Sequence, residues 1–228
     1  MYITLPPRLS AVASLVPYGS VAADIGTDHG FVPIYLLQNG ICLRAVAADI
    51  NPAPLGRAAG NIKGHDLPDK IKCVLSDGFS ALSPDDADTF IIAGMGGEGV
   101  ASMLERCKWA ENGRYTYIMQ PMTKKEALRR YLFDNGYDIQ TELLACEKDR
   151  IYTVFSAVYT GVTTEYTEID LILGKKRQAG SPYRQAFLRQ ELKNLYRWYN
   201  GMASSGKTPD GELVGLIKDM EKMLNDEC

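Results

Sequence analysis

A chain of 228 residues that is 46% hydrophobic and 23% charged, with a net charge of −3, fits one or two globular domains and excludes a disordered chain, a collagen-like fibre or a disulfide-dense mini-protein. No stretch approaches the ~20 consecutive apolar residues that span a bilayer, and residues 1–16 lack a basic leader and are interrupted by Pro6 and Pro7, so no signal peptide and a cytoplasmic location are expected. Cys42, Cys73, Cys107, Cys146 and Cys228 are odd in number and form no C-x-x-C, so neither a disulfide framework nor a metal site is expected.

The first 160 residues alternate two textures. Runs at 21–25, 45–50, 71–75, 89–93 and 115–119 are mostly apolar and largely β-compatible, as suits strands buried on both faces. Segments 31–38, 54–62, 97–107 and 124–133 carry apolar residues at helical spacing. Five such units predict an α/β, doubly wound parallel sheet. Runs 137–146 and 151–160, turning through Lys148, Asp149 and Arg150, close it as an antiparallel hairpin and bring the count to seven strands. After Gly161 helical spacing takes over, with Leu188, Leu192, Leu195 and Tyr199 before a Gly/Ser/Pro break at 201–209 and Leu213, Leu216, Met220 and Met223 after it. That pattern predicts an antiparallel, coiled-coil-like helical hairpin. The expected division is 1–160 for the sheet domain and 161–228 for the helical one.

Four strand ends carry the chemistry. VAADIGTDHG (21–30) places Asp24 at the end of a strand, a turn through Gly26, Thr27, Asp28, His29 and Gly30, and then a helix. Nucleotide-type ligands bind at such a turn. Asp28 stands where a dinucleotide fingerprint has its middle glycine. A carboxylate there repels phosphate and accepts from an ammonium or hydroxyl, which fits a phosphate-free, zwitterionic nucleoside such as S-adenosylmethionine; a tight packing turn is the competing reading. AVAADIN (45–51) puts Asp49 at the next strand end, 23 residues past Gly26, where an acid binds ribose hydroxyls or caps a helix. LSDGF (75–79) sets Ser76, Asp77 and Gly78 where an adenine amine is reached, though Asp-Gly also serves as a plain turn. IIAGMGGEGV (91–100) removes side chains around Met95, so that a planar group can approach Ala93, Gly94 and Gly96. Gln120, ending the fifth strand before Pro121 and Met122, can hydrogen-bond a base.

This sheet, with its acid-x-G-x-D-x-G turn, resembles the class I methyltransferases. More narrowly, RLSAVASLVP, ADIGTDHG, DINPAPLGRA, IAGMGGE and QPM resemble the bacterial tRNA (adenine-22-N1)-methyltransferase family, TrmK type. The resemblance covers nearly the whole chain, the C-terminal part by architecture alone. It implies a Rossmann-like fold, S-adenosyl-L-methionine as methyl donor, tRNA as substrate and a C-terminal domain that assists RNA binding. Carried to the matching positions, Asp24, Gly26, Thr27 and Asp28 hold the methionine end, and His29 and Gly30 start the helix. Asp49, Ile50 and Asn51 take the ribose, Ser76, Asp77 and Gly78 the adenine, and Ala93, Gly94, Met95 and Gly96 the floor beneath the reacting groups.

Adenine N1 carries a free lone pair in the neutral base, so its methylation requires no general base. The sequence agrees: it has two histidines (His29 and His65), no Ser-His-Asp or Cys-His set, and AGMGGE where exocyclic-amine methyltransferases carry Asn/Asp-Pro-Pro-Tyr/Phe. Asp28 and Met95 are the catalytic candidates, Asp28 because a carboxylate stabilises the cation that N1 methylation creates.

Charge is unevenly placed, with a net +6 between residues 175 and 197 and a second cluster at 124–130. Such clusters either face a polyanion or are solvated helix surface. The expected RNA contacts are Arg8, Gln120, Lys124, Lys125, Arg129, Arg130, Lys175, Lys176, Arg177, Arg184 and Arg189, with Arg8 facing the donor pocket as the alternative. The expected assembly is a monomer or weak dimer with no membrane partner. The competing functions are methylation of a small molecule and a non-catalytic RNA-binding adaptor that keeps the donor site.

Overall fold

The computed structural model describes residues 2–175, 180–205 and 208–226; Lys176, Arg177 and Cys228 lie outside them. In chain order the elements are α1 (Pro7–Ser14), β1 (Ser20–Ile25), α2 (Phe31–Gln38), β2 (Cys42–Asp49), α3 (Pro52–Gly64), β3 (Ile71–Leu75), β4 (Thr89–Gly96), α4 (Gly97–Arg106), β5 (Thr116–Thr123), α5 (Lys125–Asp134), β6 (Tyr137–Glu147), β7 (Arg150–Tyr159), α6 (Glu168–Leu173), α7 (Arg184–Ser204) and α8 (Gly211–Asp226). Among the described residues no helix is long and apolar enough to cross a membrane.

One seven-stranded sheet in the order β3-β2-β1-β4-β5-β7-β6 organises the molecule. Its first five strands pair in parallel, and β7 runs antiparallel to both β5 and β6. The chain order reverses between β1 and β4, where Ile25 lies opposite Ile92. A crevice opens at such a reversal, outside the carboxyl ends of the strands.

Alternation of side chains assigns each residue to a layer. Phe90 and Ile92 point into a core with α4, α5 and the aromatic set Phe79, Trp109, Tyr115, Tyr117 and Tyr137. Ile91 and Ile118 point the other way, against Val12 of α1 and Val32 and Leu36 of α2.

Two helices do not follow from the apolar pattern. Pro6 and Pro7, which interrupt the N-terminal run, start α1 as its N-cap and first residue, since proline's missing N–H is no loss there. Helix α6 is six residues long and begins with a reciprocal capping box between Thr167 and Asp170. All eight residues of the heptad-like pattern, from Leu188 to Met223, pack in one cluster formed by α6, α7 and α8. That cluster also takes in Leu144 of β6 and Ile151 of β7, so the helices are seated on the hairpin end of the sheet.

Candidate active site

A cavity of about 310 Å³ opens at the reversal point, lined by Arg8, Asp24, Gly26, Thr27, Asp28, His29, Phe31, Ala93 and Gly94 among others. Asp24, the last but one residue of β1, is 4% exposed. Burial pushes its carboxyl up to about 6, the Asp49 charge adds to that, and the Thr27 hydroxyl, donating at 2.7 Å, opposes it. The turn that follows is fixed by the backbone: Gly26 and Thr27 N–H both donate to the Ala48 carbonyl at 2.8 and 2.9 Å. Gly26 has φ +78°, and a methyl on it would lie 2.2 Å from Met95 Cε. The position therefore demands glycine for both conformation and room.

Asp28 also takes a left-handed conformation, φ 52°, which is costly for a residue with a side chain and typical of functional turns. Its N–H donates to Asp49 Oδ2 at 3.2 Å, and Asp49 Oδ1 accepts from Asn51 N–H at 2.9 Å. Each carboxylate oxygen has a second lone-pair site, so Asp49 can still accept from two hydroxyls. Arg57 reaches Asp28 Oδ1 at 3.0 Å and His29 Nε2 lies 3.4 Å from Oδ2. His29 stacks on the exposed Phe31 ring at the cavity mouth, centroids 5.3 Å apart.

A second cavity of about 310 Å³ lies past the end of β3, with Asp77, Phe79, Met103, Arg106 and Trp109 on its walls. Buried Ser76 shapes its loop by donating to the Gly78 carbonyl and accepting from Ala81 N–H. Gly78, at φ +58°, faces the Met103 side chain. Arg106 pairs with Asp77 at 3.2 Å. Ile50 is exposed between the two cavities' strand ends, the end of the Met95 side chain reaches from β4 to Gly26, and Gly96 lies against Thr123. The candidates from all four strand ends thus share one edge of the sheet.

Arg8 enters the first cavity from α1. Its Nη1 donates to Gln120 Oε1 at 2.6 Å, an oxygen that also accepts from Gly94 N–H at 3.2 Å. Gln120 is fully buried and its amide donates to the Pro121 carbonyl. The expected base contact by Gln120 is therefore corrected: it orients Arg8 and the end of β4. Arg129 is corrected too. It is completely buried, paired with Glu142 at 2.9 Å and donating to the Leu171 and Ile172 carbonyls, so it cannot meet a phosphate. Lys125 is mostly buried, with its ammonium on Glu191 at 2.7 Å, and it is likewise removed from the free cations.

Arg130 is exposed but matched by Glu168, and Lys175 donates to the Glu165 carbonyl. Lys124 and Arg189 are exposed, and Arg184 is half-buried. Sequence reasoning missed Arg57 and Arg106, the partners of Asp28 and Asp77. Arg57 lies inside DINPAPLGRA, in the second turn of the helix that Asn51 opens, and side chains on a helix lean toward its N-terminus, here toward the acid-bearing turn.

A model described as "Methyltransferase domain" matches residues 5–155. The tRNA (adenine(22)-N(1))-methyltransferase of Bacillus subtilis (strain 168) is 31% identical over 172 residues, 75% of this chain and 72% of that protein. A putative tRNA methyltransferase of Mycoplasma pneumoniae is 33% identical over 200 residues, 86% of this chain and 87% of the other. Among solved structures, a putative tRNA (m1A22) methyltransferase of Streptococcus pneumoniae in complex with S-adenosyl-L-methionine superposes with a TM-score of 0.83 at 26% identity, covering 97% of this chain and all of the other.

Proposed function

This chain belongs to the tRNA (adenine(22)-N(1))-methyltransferase family, and from that premise we infer that it transfers a methyl group from S-adenosyl-L-methionine to N1 of an adenine in tRNA. The observation that carries the reading is the charge pattern of the cavity at the β1–β4 reversal: Asp24 and Asp28 on one side and Arg8 on the other. The donor's amino-acid end bears an ammonium and a carboxylate, and each finds a partner of opposite sign there. Asp49, one strand over, has acceptor capacity for the ribose, and the pocket past β3 takes the adenine between Asp77, Gly78 and Met103.

When bound, the donor supplies an electrophilic methyl on a sulfonium. The chain's task is to hold it in line with the incoming nitrogen and keep water out. No side chain has to remove a proton from N1 before transfer, because the neutral base already carries a free lone pair there. Asp28, half exposed beside Arg57 and His29, can act on two cations, the donor's ammonium or the methylated adenine. Asp28→Asn separates the two: weaker donor binding with an unchanged single-turnover rate assigns the first, and the reverse assigns the second. Met95 lines the approach over Gly26. The C-terminal helices are the proposed RNA-contacting region.

The deciding experiment is transfer of labelled methyl to unmodified tRNA followed by nucleoside analysis. A 1-methyladenosine peak that disappears in Asp24→Ala is expected. Label in another nucleoside would keep the donor and change the target, and donor binding with no labelled RNA would turn the reading toward an adaptor or a small-molecule acceptor.

A further inference from the structure

A third cleft, of about 190 Å³, lies where the ends of β5 and the start of β7 meet α7. Gln190 of α7 forms one wall by exchanging two 2.9 Å hydrogen bonds with the Ile151 backbone, as a neighbouring strand would. Lys125 crosses the floor between Glu191 and Glu126. Those three cancel to a single negative charge, and Lys124 and Arg150, which make no ion pair among the described residues, turn the lining net positive by one.

Lys124 is held in an αL conformation, φ 55°. Its carbonyl presses on Gly97 so closely that a methyl there would lie 2.1 Å from it. These two features fix the main chain of Lys124 at the rim of the cleft, with its exposed side chain within reach of it. The Arg150 and Arg8 guanidinium groups each lie 5.9 Å from the Tyr152 ring centroid, and Arg8 also lines the donor cavity, so the cleft adjoins that cavity across the Arg8–Tyr152 contact. Thr153 supplies the observation that points to a ligand. It is 3% exposed, its hydroxyl has no hydrogen-bond partner, and it lines this cleft. A buried hydroxyl left unmatched costs stability, and a polar group seated against this wall of the cleft is the kind of partner it lacks.

We propose that this cleft binds an unpaired nucleotide of the tRNA strand beside the methylated adenine, with its phosphate on Lys124 and Arg150, its base against Tyr152 and its sugar or base edge on the Thr153 hydroxyl and Asn194. The proposal rests on the tRNA reading above. Base stacking on an aromatic ring, with cations tracking the backbone, is how single-stranded nucleic acid is held, and a base that must reach the donor has to leave its helix and draw its neighbours with it.

The test measures binding of an unmodified tRNA transcript by fluorescence anisotropy and of S-adenosyl-L-methionine by calorimetry, in the full chain. Tyr152→Ala should weaken tRNA binding about tenfold or more, whereas Tyr152→Phe stays within about twofold because stacking needs only the ring. Lys124→Gln should flatten the salt dependence by about one unit of slope. Thr153→Val should weaken tRNA severalfold while melting no lower than wild type, because an apolar isostere removes an unmatched hydroxyl. Donor affinity should hold in all four. Wild-type tRNA binding in both Tyr152→Ala and Lys124→Gln overturns the cleft while leaving methylation standing; a wild-type chain that makes no 1-methyladenosine overturns the tRNA reading and the proposal with it.

Discussion

Asp24 joins a structural cost to its proposed role in donor binding, and pH separates the two. An unfolded aspartate loses its proton near pH 4, whereas burial holds the folded Asp24 proton up to about pH 6. The folded state therefore binds the extra proton between those values. Stability falls as pH rises through that window and then levels off, by about 3 kcal/mol for a displacement of this size. Asp24→Asn lacks this fall, so urea denaturation from pH 4.5 to 8 should show the variant gaining on wild type up to about pH 6 and running parallel above it. Parallel curves throughout would remove the buried-charge account. Donor affinity should move the opposite way, weakening below about pH 6 in wild type, because an ammonium requires the ionised carboxylate. Gly26→Ala tests the same turn sterically. The methyl meets the movable end of Met95, so the chain should fold with a loss of about 1 kcal/mol from the positive φ, yet calorimetry should find no donor binding because Met95 is driven across the cavity. Both residues were legible in the sequence, as motif and as strand end. Their neighbours Arg57 and Arg106 were not, because a salt bridge across a turn leaves no periodic trace.

The turn between β4 and α4 and the turn between β5 and α5 fit together through one glycine. At Gly97 an added Cβ would lie 2.1 Å from the Lys124 carbonyl oxygen and 2.8 Å from its carbon, and backbone cannot swing aside as Met95 can. Gly97→Ala should therefore cost about 3 kcal/mol, read as a fall in melting temperature together with lost tRNA binding as Lys124 is displaced. Arg129→Ala should cost about 3–5 kcal/mol, since it takes the guanidinium away from buried Glu142 and from the carbonyls at the end of α6. The sheet was readable because strands buried on both faces are mostly apolar, and the long helices because burial repeats at their pitch. Helix α6 is too short to show a period and is set by its capping box; α1 was hidden by prolines that read as a break. Arg129 was misread as a surface cation although its helix already held the answer: Leu128, Leu132 and Phe133 are buried, and Arg129 lies on the same face at helical spacing. A charge inside such a face signals a buried partner, and Glu142 on the β6 strand is that partner.

Charge and core are arranged differently along the chain, and the difference decides how the parts behave together. The C-terminal helices share their core with Leu144 and Ile151 of the hairpin, so they are fixed in orientation against the sheet edge that carries the site. On α7, Arg189, Lys193 and Arg197 are all exposed at four-residue intervals, a stripe of like charges on one helical face. Like charges at that spacing destabilise an isolated helix by a few tenths of a kcal/mol per pair. Nothing among the described residues matches them with carboxylates, whereas Lys125, Arg129 and Arg130 are each paired with one. On the proposed tRNA reading, this unmatched stripe, on a helix that lines the third cleft, is the surface that meets phosphates. Each phosphate contact contributes about 0.7 to 0.9 to the slope of log affinity against log salt, so replacing all three cations with glutamine should flatten the slope for tRNA by about 2 to 3. The same triple variant should melt no lower than wild type, because it relieves repulsion and touches no core residue. Donor affinity should be unaltered. A slope equal to wild type, measured by anisotropy between 50 and 200 mM salt, would mean that the RNA passes elsewhere and that the stripe is solvated surface.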